Sequence, residues 1–191
     1  RGRCRRVVHG GRRGIFSGDA VDKAMKPYKH NRPVPKVVSV EQTSNFGGGA
    51  CWTLDEIKDV AAAAKRNNLA MHMDGARLLN AVAATGTSAK GFGQQCDSAW
   101  IDLSKGLGCP VGAVLVGSKD FIDESWRWKH QFGGAMRQSG IIAAAGVYAF
   151  QNNVERMADD HQNAKRLAQG LMQIPGIEVD PEEPETNMVF F

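Results

Sequence analysis

The sequence predicts an α/β fold with a mostly parallel sheet, and three observations carry that prediction. Compact apolar runs recur at residues 37–40, 69–73 and 98–103, each the length of a buried strand. Between the first two, Leu54, Ile57, Val60, Ala61 and Ala64 repeat at helical spacing, so strand, helix and strand make one βαβ unit. Each strand then runs into polar or glycine-rich residues, at 41–45, 74–77 and 104–108. Ligands of open α/β sheets gather at those carboxyl ends.

The elements follow in order. Residues 1–18 are rich in Arg and Gly and predict little regular structure. A short helix is expected over 19–25, after which Pro27, Pro33 and Pro35 exclude helix until Lys36. Val37 to Val40 is β-branched and predicts the first parallel strand. Gly47, Gly48 and Gly49 then demand an unusual backbone path, without the spacing of a nucleotide loop. Thr53 and Glu56 form a capping box for the helix that ends at Asn67 and Asn68. A second helix is expected over 76–84, and a polar loop over 85–95. Strands at 98–103 and 111–116 flank a brief turn and predict an antiparallel hairpin. A helix over 120–131 should turn Phe121, Ile122 and Trp126 inward. Helices at 141–150 and 153–173 follow, broken by Pro175 and Gly176, with short strands expected at 177–179 and 188–191. The expected division is a large domain over 1–150 and the start of a small α+β domain over 151–191.

Composition limits the function classes. The chain has 191 residues, 42% apolar and 23% charged, the make-up of a globular protein with a core. No run is long and apolar enough to span a membrane. The net charge of +4 comes from Arg1, Arg3, Arg5, Arg6, Arg12 and Arg13; the remainder is slightly acidic and offers no footprint for nucleic acid. Cys4, Cys51, Cys96 and Cys109 show no C-x-x-C spacing, so neither a zinc ribbon nor a disulfide framework is expected, and a cytoplasmic location is. The start has neither a Met nor an apolar leader segment, which leads us to expect a longer parent chain.

Two residues carry the chemistry. Lys105 stands on a turn at a strand end, with Ser104 before it and Gly106 and Gly108 behind it. An amine so placed suits condensation with a carbonyl group, although alone it reads more readily as a solvated loop lysine. Asp74 closes the preceding strand and alone reads as a helix N-cap, with Arg77 one turn further on. Together they match what pyridoxal phosphate requires: a lysine for its aldehyde and a carboxylate for its pyridine nitrogen. His72 shares a strand face with Asp74, and a hydrogen-bonded core histidine is favoured over a metal ligand there.

Four motifs extend this reading. EQTSNFGGG at 41–49, HMDGARLLNA at 72–81, CDSAWIDLSKGLGCPVG at 96–112 and GGAMRQSG at 133–140 together resemble the threonine aldolase family. The resemblance runs from about Gly14 to Phe191 and suggests the middle of such a protein. It implies the large domain of a pyridoxal-phosphate-dependent enzyme of the aspartate aminotransferase type, fold type I. It implies that Lys105 carries the cofactor, that Ser104 of the same motif lies against it, and that Asp74 pairs with the pyridinium nitrogen. Arg77 is implied near the cofactor hydroxyl and the substrate carboxylate, and Arg137 at the phosphate or subunit-interface side. Ala135 and His130 depart from the family pattern, which has a glycine and often a lysine there. The ring-stacking histidine and most of the phosphate loop are implied upstream of Arg1. The implied reaction splits the Cα–Cβ bond of threonine or allo-threonine to glycine and an aldehyde, in a homodimer or homotetramer with no metal. β-Elimination or transamination on the same scaffold, an inactive fragment, or RNA binding by the arginine-rich start are the alternatives to test.

Overall fold

A computed structural model describes residues 11–191. Cys4 and four of the N-terminal arginines lie outside the described residues. Four strands form one sheet in the order β1 (Val37–Glu41), β2 (Ala70–Gly75), β3 (Ser98–Asp102), β4 (Ala113–Gly117). The first three are parallel, and β4 returns antiparallel to β3 after the Lys105 turn, as the short connection predicts. Register places Glu41 beside Asp74, and Asp74 beside Trp100.

Strand alternation divides the sheet into two unlike faces. On one, Val40, Met71, Met73 and Ala99 are buried. They pack against Ile57, Val60, Ala63 and Ala64 of α2 (Leu54–Arg66), in a cluster that also takes in Trp52 and Phe92. The helix starts where the sequence places it: Thr53 accepts from the Glu56 amide, and Glu56 accepts from the Thr53 amide. The other face carries Ser39, Glu41, His72, Asp74, Ser98, Trp100 and Asp102, none of them buried.

A second cluster seats the Lys105 turn. Leu103, Leu107 and Cys109 pack with Leu79 of α3 (Leu78–Thr85), Ala149 of α6 (Gly140–Asn152) and Met157 of α7 (Met157–Leu171). Gly49 shows why the glycine run at 47–49 is needed. Its φ is +74°, and a Cβ there would sit 2.5 Å from the hydroxyl of Thr186, which donates to the Gly49 carbonyl.

Several elements differ from the sequence reading. α1 (Gly18–Ala24) begins one residue early, because Ser17 caps it through the Ala20 amide. The predicted loop at 85–95 contains a short helix, α4 (Ala89–Gly93), capped by Ser88 and anchored by the fully buried Phe92. α5 (Lys119–Gln131) forms, but none of its residues is buried; Phe121 and Trp126 are exposed, because the strand it touches is itself uncovered. α7 starts at Met157 and not at 153, since Asn153 caps α6 and donates its side-chain amide to the Leu107 carbonyl. No strand forms at 177–179 or 188–191. The two segments meet through the Asp180 amide and the Phe190 carbonyl at 3.0 Å, but Pro181 and Pro184 supply no donors for a ladder.

Candidate active site

Three sheet ends converge on one edge. Beyond β3 the chain turns sharply, and Gly108, at φ +73°, lets its amide return to the Lys105 carbonyl at 2.8 Å. Leu103 and Leu107 point into the core on either side. Lys105, on the turn between them, is exposed. Its amine lies 2.5 Å from Asp102 Oδ2 and 5.6 Å from the centroid of the Trp100 ring.

Those contacts fix the side of the sheet on which the amine sits. Asp102 and Trp100 are two residues apart, so they share a face, and Trp100 is the ladder partner of Asp74. The amine and the Asp74 carboxylate therefore occupy the same face of adjacent strands. Asp74 does not cap α3, whose N-cap position is held by Arg77 without a side-chain bond. Its Oδ1 accepts from the Ala76 amide at 3.1 Å, and no described donor reaches Oδ2.

The polar loop after β1 supports both neighbours. Gln42, fully buried, exchanges two side-chain hydrogen bonds of 3.0 Å with the Trp52 backbone. Its own backbone amide donates to the Asp74 carbonyl and its carbonyl accepts from the Arg77 amide, tying the ends of β1 and β2 together. Asn45 is then in place to accept from Arg77 Nη1 at 3.1 Å. The buried Nε of Arg77 and the hydroxyl of Thr43 have no partner among the described residues. A buried guanidinium N–H left open is a donor prepared for an acceptor from outside this set.

Asp102 was not singled out by sequence reading, although an acid three residues before a turn lysine was the available signal. Partial burial alone would raise its carboxyl. Hydrogen bonds from Lys105 and from the Ser104 hydroxyl and amide outweigh that and hold it below the usual carboxylate range. Asn45 was also missed as the partner of Arg77. Ser104 is spent on Asp102, at 2.7 Å from both its hydroxyl and its amide. Arg137 is exposed in the loop between α5 and α6, and no described contact joins it to Asp74, Arg77 or Lys105. His72 is the hydrogen-bonded histidine expected, with Nδ1 2.8 Å from Ser98 Oγ.

The site is an open sheet edge and not a closed cavity. A cleft of about 510 Å3 is lined by Arg13, Phe16, Cys51 and Glu185 among others, and it includes neither Asp74 nor Lys105. The residues present fit pyridoxal phosphate: an amine, a carboxylate with one free oxygen, and a buried guanidinium N–H share one edge.

Comparison with known proteins agrees with that chemistry. A family model for beta-eliminating lyases matches residues 2–191. A low specificity L-threonine aldolase of Escherichia coli is 44% identical over 177 residues, covering 93% of this chain and 51% of the relative. A low-specificity L-threonine aldolase of Arabidopsis thaliana is 38% identical over 179 residues, covering 93% and 50%. Among solved structures, a Listeria monocytogenes protein described as a candidate L-allo-threonine aldolase superposes with a TM-score of 0.79 at 27% identity, covering 94% of this chain and 48% of that one. The threonine aldolase of Leishmania major gives a TM-score of 0.73 at 17% identity, covering 90% and 51%, a likeness of fold. The chain spans about half the length of the curated relatives it matches.

Proposed function

Since the chain belongs to the beta-eliminating lyase family, we propose that it forms the cofactor-carrying part of a threonine aldolase, which cleaves a β-hydroxy-α-amino acid to glycine and an aldehyde. The observation that carries this reading is the shared sheet face of the Lys105 amine and the Asp74 carboxylate, on adjacent strands. Pyridoxal phosphate, when bound there, supplies an electron-withdrawing ring that accepts the electron pair released at Cα.

The residues have distinct tasks. Lys105 Nζ is the group that joins the cofactor, and it must first give up its ion pair with Asp102. Asp102 holds the amine over Trp100 until then. Asp74, with Oδ2 open, would hold a proton on the pyridine nitrogen of the bound cofactor. Arg77, braced by Asn45, offers its guanidinium to the carboxylate of the amino acid or to the cofactor hydroxyl. Ser104 belongs to the same reading as a cofactor-binding residue, and Arg137 as one on the phosphate or subunit-interface side. The aldolase relatives favour Cα–Cβ cleavage over elimination on this scaffold.

The same reading carries a cytoplasmic homodimer or homotetramer. The support for association is the exposed apolar surface of Val114, Leu115, Val116, Trp126, Phe132 and Ile141. Light scattering of the full-length protein should give a mass at least twice that of one full-length protomer, and a monomer would reject it.

Incubation of the full-length protein, loaded with pyridoxal phosphate, with L-threonine is the direct test. Glycine and acetaldehyde should appear in equal amounts. A 2-oxo acid with ammonia in their place would reject the aldolase reading in favour of elimination.

A further inference from the structure

We infer that the buried Asn80–His161 pair is a positioning device for the turn that presents Lys105. The inference rests on the reading of Lys105 as the cofactor-carrying amine. Asn80 of α3 is 2% exposed and His161 of α7 is 8% exposed. Asn80 Nδ2 lies 3.2 Å from His161 Nε2. An amide nitrogen only donates, so Nε2 accepts and the imidazole proton sits on Nδ1.

The other end of the carboxamide faces the turn. A Cβ built on Gly106 would lie 3.3 Å from Asn80 Oδ1 and 3.3 Å from Met157 Cε. The backbone just behind Lys105 thus rests on a side chain whose orientation is set by a histidine on a different helix. α6 adds one further tie, from Asn153 Nδ2 to the Leu107 carbonyl at 2.8 Å. Lys105 itself reaches away from this seat, to Asp102. With the acceptor at 161 removed, Asn80 would keep a buried donor with no partner, and its carboxamide would no longer be held in one orientation against Gly106. An amine that must meet a carbonyl carbon in a defined direction depends on such a seat.

Amide hydrogen exchange tests this without cofactor or substrate. His161→Leu removes the acceptor, and His161→Gln offers a carbonyl oxygen in its place. The Leu variant should exchange the Gly108 and Cys109 amides about tenfold faster, while the β2 amides keep their wild-type rates, and the Gln variant should restore the turn. Equal acceleration in β2 and the turn, or none in the turn, would overturn the inference by reducing the pair to general packing or to nothing. Gly106→Ala reads the same coupling from the opposite end if the Leu variant fails to fold. It should shift the Asn80 side-chain amide and His161 ring resonances, and unmoved resonances would overturn the inference. The products formed from threonine are independent of both readouts, so an eliminating enzyme would reject the proposed reaction and leave the pair standing.

Discussion

The two faces of the sheet follow the same alternation and come out differently. On the α2 face, Val40, Met73, Ile57 and Val60 are at most 1% exposed. On the opposite face, Asp74, Trp100 and Asp102 are half-buried, β4 is exposed at every position, and α5 buries none of its residues. Both regions have regular, well-capped elements: Thr53 caps α2, and Ser118 caps α5 through the Phe121 amide. Local signals therefore form a helix with or without a partner, while burial depends on what lies opposite. The closed face holds the fold together. The open face holds the amine and the carboxylate, where polar groups stay reachable.

That contrast predicts opposite outcomes for substitutions on the two sides. Lys105→Ala should reduce glycine formation by on the order of a thousandfold or more. It should also remove the absorbance gained on adding pyridoxal phosphate, with stability changed by less than about 0.5 kcal/mol in urea unfolding. Ile57→Ala, at a fully buried site, should do the reverse. It should destabilise by roughly 2–5 kcal/mol through the lost methyl groups and the cavity left behind, with cofactor absorbance retained in the folded fraction. A Lys105 variant that unfolds, or an Ile57 variant that stays at wild-type stability while losing the cofactor, would break the division between the faces.

The sequence was legible wherever one local signal determined the outcome. The capping box at Thr53, the parallel run at 37–40 and the hairpin around Lys105 depend on short-range pattern, and they stand as read. Asp74 and Lys105 stand at strand ends, which are readable; register sets Asp74 beside Trp100, and contacts with Trp100 and Asp102 bring the Lys105 amine to the same face. The misses were tertiary. Phe92 looked like one apolar residue in a polar loop, and only its place against α2 explains α4. The inward face given to α5 assumed a neighbour that the described residues do not supply. Asn45 and Arg77 are 32 positions apart, and Asn80 and His161 are 81 apart; no periodicity links either pair.

A smaller effect separates the two caps. Thr53→Ala should lower global stability by about 1 kcal/mol, because α2 is welded to the sheet and the loss of its N-terminal bonds is felt by the whole core. Ser118→Ala removes an equivalent bond from a helix with no buried residue, so its loss should fall mainly on local fraying. Urea midpoints should therefore move for Thr53→Ala and barely move for Ser118→Ala, whereas exchange at the Phe121 amide should quicken only in the latter. Equal shifts in midpoint would mean that α5 is coupled to the core more tightly than its exposure indicates.

The smallest effect is a pH slope that belongs to the buried α3–α7 contact and not to the open side. Burial pushes the His161 imidazole below its ordinary 6.5, the Lys165 charge acts in the same direction, and Asp160 opposes them. The unfolded chain then binds the proton more readily than the folded one, so stability is complete above about pH 6.5 and falls as the pH drops from there. On the open side, Glu124 is held below its ordinary 4.5, chiefly by its hydrogen bond from Arg127. Its contribution is present above that value and is lost only under more acid conditions, so between pH 7.5 and 5.5 it adds no slope. It is also exposed to screening, with a Debye length near 3 Å in ~1 M salt. The urea midpoint should accordingly fall between pH 7.5 and 5.5 in the wild-type protein, persist in doing so in 1 M salt, and fall less in His161→Gln. A slope that survives the substitution unchanged would move its origin away from the α3–α7 contact and remove the pH distinction between that buried contact and the open side.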